Sequence, residues 1–506
     1  MDKRSLVMNV QNRTIFERDN IEVLKGINSD SIDLIYLDPP FNSNKSYSAP
    51  IGSEAAGAAF KDSWTLDDVD NAWHGQIAED YPSLYQCIVA AELAHGKAMK
   101  AYLIMMSIRM LEMHRILSPK GSIYLHCDPT ASHYLKMMMD SVFGQDNFRN
   151  EIVWQRASGR AKGSQYKSKS LGKDTDNIFH YSKSNNLLHN LVTQPLSELE
   201  INEKFPYTDT NGRKYNTTTP LFCQPSMGDR PNLCYEYKGI SNPHSSGWRV
   251  SKEKLIKMDK AGDIIWREGK RPLRKSYADN YKGKPIGSLW IDIPIAAGKE
   301  RTGYPTQKPL SLLDRIIKAS SNAGDVVLDP FCGCATTCLA AENLNRKWIG
   351  IDLSPKAVEL VKSRIEKEMP LLRHLVGKIN HRTDVPERTD TPKEKRLTLS
   401  GLFSKEWIQA EKNRIRKSDI VLSEAEMQVF VSYKHTLYGI QEGKCNGCQY
   451  LLPIRNLTID HIVPRSADGT DDIDNLQLLC GACNSTKGAG TQEQLIAKLK
   501  NQGVLL

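Results

Sequence analysis

The stretch Ile32-Asp33-Leu34-Ile35-Tyr36-Leu37-Asp38-Pro39-Pro40-Phe41 decides how the chain is read. Its first six residues are apolar apart from Asp33, which predicts a short buried strand in a parallel sheet. An acid, two prolines and an aromatic ring then stand at the carboxyl end of that strand, where open α/β sheets hold their ligands. Proline has no N–H, so the Pro39 carbonyl is not drawn into a helix turn and stays available beside the Asp38 carboxylate. Two acceptors and a flat ring suit an exocyclic amino group on a planar base. The plain alternative is a strand ended by a Pro-Pro turn.

Working outward, the 506 residues are too many for one core and predict two or three domains. With 25% charged and 40% hydrophobic residues the composition is that of a soluble globular protein. No apolar run approaches membrane-spanning length, and Met1 to Ser5 lead into no apolar signal core, so the expected location is the cytoplasm, with no membrane partner. The net charge of +9 is modest, but residues 151–300 carry an excess of about nine positive charges, which suits a polyanion. Of eleven cysteines, seven are scattered or sit in the Cys332-Gly333-Cys334 turn, and four form two Cys-x-x-Cys pairs. That usage fits a reducing compartment and one metal site.

Residues 1–150 alternate helical and strand patterns: a polar stretch to about Asp62 that could cover the site as a flap, a long apolar helix from about Ala98 to Leu117, then the strand Ser122–His126. Such alternation implies a parallel sheet. Residues 151–300 are different in texture, with basic residues interleaved among Trp154, Tyr166, Tyr181, Tyr207, Tyr235, Trp248, Trp266 and Trp290. As a whole the segment fits a surface that holds phosphates and stacks bases, although most of these aromatics taken singly fit better in the small core of an irregular domain. The α/β pattern resumes over 301–376 with a helix opening at Lys308-Pro309-Leu310, a strand Asp325–Leu328, a turn Asp329–Thr337, a helix from Cys338 and a strand Lys347–Asp352. Residues 377–420 read as a charged, Pro/Thr-rich linker, and Ser423-Glu424-Ala425-Glu426 as a capping box opening the last domain, 421–506.

The turn after Asp329 needs Gly333 for a close approach, and Asp352 ends the neighbouring strand, where a carboxylate can bind ribose hydroxyls. These features point to an adenosine-containing cofactor. A dinucleotide is the rival, although no G-x-G-x-x-G run is present.

Taken together, Asp38-Pro39-Pro40-Phe41 and Asp329-Pro330-Phe331-Cys332-Gly333 resemble the motifs of the β group of amino-group DNA methyltransferases, which use S-adenosylmethionine. The order of catalytic motif, target-recognition segment and donor motif matches, as do Leu125–Thr130, Phe148–Glu151 and Pro305–Pro309, over about residues 10 to 370. The resemblance implies a Rossmann-like methyltransferase sheet with an inserted target-recognition region. It implies catalysis by Asp38, Pro39, Pro40 and Phe41, a donor pocket of Asp329, Phe331, Gly333, Thr336 and Asp352, and closure of that pocket by Thr306 and Lys308. The implied partner is double-stranded DNA, with a homodimer among the arrangements open to the chain. Asp at the head of the tetrapeptide favours N6 of adenine over N4 of cytosine. Two departures stand out: Cys334-Ala335 replaces a common Ser-Gly, and Phe41 a common tyrosine.

Near the C-terminus, Cys445-x-x-Cys448 and Cys480-x-x-Cys483 have the spacing of a structural Zn²⁺ site. Between and after them lie Asp460-His461, Asn475 and Asn484, and the segment from about 440 to 490 resembles the zinc-stapled HNH nucleases, small ββα-metal domains. That resemblance gives His461 the role of base, Asn475 the role of fixing its loop, and Asp460 and Asn484 a catalytic Mg²⁺ or Mn²⁺. Asn484 stands where the family has histidine. The expectation is a single-chain restriction-modification enzyme. The alternatives are an HNH domain that cuts modified DNA or only grips DNA, and a non-catalytic DNA-binding protein.

Overall fold

The structure is a computed structural model and describes residues 8–40, 45–48, 59–62, 71–156, 169, 171–172, 174–368, 376–390 and 433–505. Phe41, most of the expected flap and the capping box at Ser423 lie outside the described residues. Residues 191–287 form one compact unit and the rest of the chain another.

The larger unit is built on a nine-stranded sheet. Its strands are β1 (Thr14–Glu17), β2 (Ile32–Leu37), β3 (Leu117–Cys127), β4 (Phe148–Gln155), β5 (Thr175–Ser182), β6 (Leu289–Trp290), β7 (Val326–Asp329), β8 (Lys347–Asp352) and β9 (Asn380–Arg382), in the order β6-β4-β5-β3-β2-β7-β8-β1-β9. Most neighbours are parallel, as the alternation of helix and strand implies, but β5 runs antiparallel to both β3 and β4, so the sheet is mixed. In β2 every residue except Asp33 is buried, because helices cover both faces. Asp33 joins its neighbours: it accepts from Val326 N–H (2.9 Å) and from Ser118 Oγ (3.1 Å).

The helices of this unit include α1 (Asn20–Gly26), α2 (Asn71–Asp80), α3 (Pro82–His95), α4 (Lys97–Ile116), α5 (Ser132–Phe143), α6 (Leu310–Ser320), α7 (Thr336–Asn343) and α8 (Pro355–Glu368). The long helix expected at Ala98–Leu117 is α4, buried on nearly every side. Its buried charges are paired: Lys100 with Glu92 (2.7 Å), and Arg109 with Asp19 (2.7 Å), whose other task is to cap α1.

Of two expectations drawn from composition, the linker differs from the structure and the aromatic core agrees with it. Residues 380–382, within the expected linker, pair with β1 and form the sheet's edge strand, and Asn28 and Ser29 hold Thr389 and Asp390 through backbone N–H bonds of 2.8 Å. Edge pairing through the backbone leaves no apolar signature. In the basic segment, Trp154, Tyr181 and Trp290 lie in the main sheet and are buried. The smaller unit packs Trp248 between Tyr235 (stacked, 5.4 Å) and Phe222 (edge-on, 4.6 Å) over Leu255 and Ile264, with Trp266 against the same cluster. Of the eight aromatics named above, these are therefore packing residues; Tyr207 is exposed and Tyr166 lies outside the described residues. Residues 191–287 carry 17 Lys and Arg against 11 Asp and Glu, so the basic excess persists there.

The C-terminal domain belongs to the larger unit. A helix over 433–440 leads to the antiparallel hairpin of β10 (Leu457–His461) and β11 (Leu476–Cys480), followed by α9 (Gly481–Lys487) and α10 (Gln492–Asn501). Its Leu437, Tyr438, Leu457 and Leu478 share one apolar cluster with Ile77, Leu84, Ile88 and Met99 of α2 to α4. Among the described residues no helix is long and apolar enough to cross a membrane.

Candidate active site

Asp38 follows the last residue of β2, Asp329 ends β7 and Asp352 ends β8, and these three strands are adjacent and parallel, so the three acids stand along one edge of the sheet. The sheet-end crevice is where doubly wound folds bind ligands.

In Asp38, Oδ2 accepts from Lys308 Nζ in a largely buried ion pair. Oδ1 is also buried and has no hydrogen-bond partner among the described residues. An unpartnered buried acceptor costs about 1–3 kcal/mol, so it marks a place where a donor belongs. Lys308 reaches Asp38 from the segment before α6 and lies 3.4 Å from the Thr306 carbonyl. Thr306 itself is exposed, with φ of 64°.

The turn after β7 is held from within. Asp329 is almost fully buried and accepts from Thr337 Oγ1 (2.5 Å) and Phe331 N–H (3.1 Å). Burial pushes its pKa up to about 7, against the pull of those two bonds. Both Asp352 oxygens take backbone N–H groups, from Gly333 (2.8 Å) and Ser354 (2.8 Å), and burial raises its pKa as well. Each oxygen keeps a lone pair for a hydroxyl. Gly333 has φ of +48°, and a β-carbon there would lie 3.1 Å from the Tyr304 ring, so the close approach that this turn needs is to Tyr304. Ala335, in the glycine position of the resemblance, takes a left-handed conformation (φ 58°). Thr336 is buried, and its hydroxyl accepts from Arg364 Nη1 (2.8 Å), which also binds the Cys334 carbonyl (2.9 Å).

Sequence reasoning did not single out Arg364, Tyr304 or a buried polar chain behind Asp38. In that chain His126 bridges Tyr36 Oη (3.0 Å from Nδ1) and Asp176 (3.2 Å from Nε2), and Arg156 pairs with Asp176 (3.1 Å). Burial and then the charge of Lys308 lower the pKa of His126.

In the C-terminal domain the four thiols of Cys445, Cys448, Cys480 and Cys483 lie within 4.8 Å of one another. Backbone N–H groups of Gly447 and Cys480 point at Cys445 Sγ (3.4 and 3.2 Å), which suits thiolates around a tetrahedral ion. His461 Nε2 meets Asp471 (2.7 Å), which Arg465 grips with two bonds of 2.8 and 2.7 Å. Asn475 clasps the histidine's loop: its amide donates to the Val463 and Thr470 carbonyls (3.0 and 2.8 Å) and accepts from Val463 N–H (3.0 Å). One oxygen of Asp460 is taken by Lys487 (3.0 Å) and Gln477 (3.1 Å), while Asn484 donates through its nitrogen to Thr458 (3.3 Å), which leaves its carbonyl oxygen to serve as a ligand.

The profile of a family described as DNA methylase matches residues 32–363, well over half of the chain. The chain belongs to the DNA methylase family. A second profile, HNH endonuclease, matches residues 445–490, so this methylase is fused to an HNH endonuclease domain. Among similar proteins, the type II methyltransferase M.EcaI of Enterobacter cloacae is 29% identical over 70% of this chain and 69% of its own. The StyLTI Mod subunit of a type III restriction-modification enzyme of Salmonella typhimurium is 26% identical over 69% of this chain and 52% of its own. The DNA adenine methyltransferase YhdJ of Escherichia coli is 24% identical over 70% and 83%. A solved Thermus thermophilus protein named as a putative DNA modification methylase, complexed with S-adenosyl-L-methionine, covers 71% of this chain and 96% of its own at 17% identity and a TM-score of 0.34. S-adenosylmethionine as donor and DNA as substrate go with membership of the methylase family, and the cluster of four cysteines is the composition of a zinc site.

Proposed function

We propose that this methylase transfers a methyl group from S-adenosylmethionine to N6 of adenine in double-stranded DNA, and that its HNH domain cuts the same DNA when the mark is missing. The single observation that carries the methyl-transfer reading is Asp38 Oδ1, a buried acceptor with no partner among the described residues at the end of β2.

Adenine's amino lone pair is delocalised into the ring, so the nitrogen must become more tetrahedral before it attacks. Asp38 and the Pro39 carbonyl accept its two N–H bonds and favour that shape, which stabilises the transition state more than the ground state. By the resemblance, Phe41 stacks on the base and Asp352 holds the donor's ribose. As the new N–C bond forms, the donor's C–S bond breaks with its electron pair returning to sulfur as a neutral thioether, and one amino proton passes to solvent by way of the Asp38 carboxylate that accepts that N–H. The base must be flipped out of the duplex at a cost of a few kcal/mol, which stacking in the pocket partly offsets.

In the HNH domain, Asp471 on Nε2 leaves Nδ1 of His461 as the acceptor that can deprotonate water. The remaining oxygens of Asp460 and Asn484 would hold one Mg²⁺ or Mn²⁺. Such an ion supplies Lewis acidity at the scissile phosphate.

The test is incubation with labelled donor and DNA, followed by mass spectrometry of the nucleosides. N6-methyladenine is expected from the wild type and none from Asp38→Ala, while Asp38→Ala still binds donor. N4-methylcytosine, or transfer retained by Asp38→Ala, overturns the reading. His461→Ala is expected to stop cleavage and leave methylation intact, and premethylated DNA should resist the wild type.

A further inference from the structure

Lys308 belongs by resemblance to the donor pocket, yet in the structure its ammonium lies on Oδ2 of Asp38, with both side chains largely buried. We propose that Lys308 is a positioning residue for Asp38: it pins one carboxylate oxygen so that the other, Oδ1, faces the target amino group. The inference rests on the methyl-transfer reading above and adds to it the residue that aims the acceptor.

Three observations support it. First, the two oxygens of Asp38 are unequal, since Oδ2 is engaged and Oδ1 is buried without a partner among the described residues. A carboxylate with one oxygen fixed by a cation has lost the χ2 rotation that would otherwise blur its direction.

Second, the segment that delivers Lys308 is braced on both sides. Gln307 Oε1 accepts from Thr302 N–H (2.9 Å) and Oγ1 (3.0 Å), while Gln307 Nε2 donates to the Glu300 carbonyl (2.7 Å). Glu300 Oε1 in turn accepts from Leu310 N–H (2.5 Å) at the start of α6. Two side chains thus clamp residues 300–310 around Lys308, more fixation than a lysine lining a solvated pocket needs.

Third, Thr306 is held at φ of 64°, a left-handed conformation costly to a β-branched residue. Strain of this kind persists only where surrounding bonds over-determine the backbone, and it clusters at functional sites. Here it turns the chain so that residue 308 points inward, and the Thr306 carbonyl lies within reach of Lys308 Nζ (3.4 Å).

The rival assignment, Lys308 on the donor, predicts a different kinetic signature. The experiment measures donor affinity by calorimetry and single-turnover methylation at saturating donor and DNA for Lys308→Met and Lys308→Arg. If Lys308 aims Asp38, Lys308→Met binds donor within about threefold of wild type while its single-turnover rate falls about 100-fold, the loss expected for misplacing a reacting group by about 1 Å. Lys308→Arg, which keeps the charge, should recover at least tenfold of that loss. A Lys308→Met protein that loses donor affinity but reaches the wild-type rate at saturating donor overturns the proposal, and so does an unchanged rate. So does a Lys308→Arg rate no better than that of Lys308→Met. Failure of the underlying reading is separate: it appears as transfer retained by Asp38→Ala, whatever Lys308 does.

Discussion

Gly75 on α2 faces His435 of the C-terminal domain so closely that a β-carbon built on it would lie 2.6 Å from the His435 α-carbon. Nearby, His435 bonds Glu79 (2.8 Å), Lys97 bonds Glu442 (2.5 Å), and the Tyr438 ring packs on His74 (edge-on, 5.7 Å) and Tyr85 (6.0 Å). The nuclease domain is thus seated on helices of the methyltransferase half and shares its apolar cluster.

Gly75→Ala tests that seat. In an exposed helix the change would stabilise by about 1 kcal/mol, because alanine is the better helix former. Here the added methyl meets backbone atoms, so either α2 or residues 433–440 must move, at an expected cost of about 1–3 kcal/mol. The expected result is a lower melting temperature and faster proteolytic release of the C-terminal domain. A rise in melting temperature would mean the two are not packed together.

Ala335 offers a test of opposite sign. A non-glycine residue in the left-handed region costs roughly 1–2 kcal/mol, of which glycine's greater freedom in the unfolded chain returns about 0.5–1. Ala335→Gly should therefore raise the stability of the methylase by about 0.5–1 kcal/mol, read as an increase in melting temperature, and leave donor affinity at least as tight. The alanine is an imperfect solution at a turn whose shape Asp329 fixes from within and Asp352 and Arg364 fix from neighbouring elements.

What the sequence made legible follows the range of the interactions. Asp38, Asp329 and Asp352 were readable because each ends an apolar run, and strand ends in α/β sheets hold ligands. The four cysteines were readable from two local spacings. Contacts that close over long separations were not: Asp33 bonds Val326 293 positions away, and Lys308 meets Asp38 270 positions away. Sequence conveys the type of such side chains but not their direction, so Lys308 could be assigned to the donor as well as to the acid. Most aromatics of residues 151–300, taken singly, read as core residues and six of them are packed so; a tryptophan in a sheet core and one under a base have the same local signature, so the sequence could not name the residues that would meet DNA.

Asp329 gives the methylase a pH dependence of defined sign. Its carboxyl is raised from 3.8 to about 7 by burial, so the folded state favours the protonated form. Between about pH 4 and pH 7 the unfolded chain releases this proton while the folded chain keeps it, and stability falls as pH rises through that window. The contribution lost is on the order of 4 kcal/mol at one pKa unit per 1.36 kcal/mol. Asp329→Asn removes the titration and preserves an acceptor for Phe331 N–H. Melting temperatures from pH 5 to pH 8 should drop more steeply for the wild type than for Asp329→Asn; parallel curves would place the carboxyl's titration elsewhere.

Removal of zinc should separate the two activities. The thiols of Cys445, Cys448, Cys480 and Cys483 converge within 4.8 Å and join the segment after the helix at 433–440 to the hairpin β10–β11 and α9, elements too small to hold together by apolar burial alone. Structural zinc contributes roughly 10–16 kcal/mol in small domains of this type, so its loss exceeds any compensation available from the shared apolar cluster. One zinc per chain is expected by elemental analysis. Stripping it with a chelator under thiol-reducing conditions, then restoring magnesium in excess, should abolish DNA cleavage while methyl transfer persists, because Asp38 and its neighbours stand on β2, β7 and β8 of the main sheet. Cysteine pairs acting in redox chemistry would instead respond to oxidant and ignore the chelator, and cleavage that survives zinc removal would assign them that role.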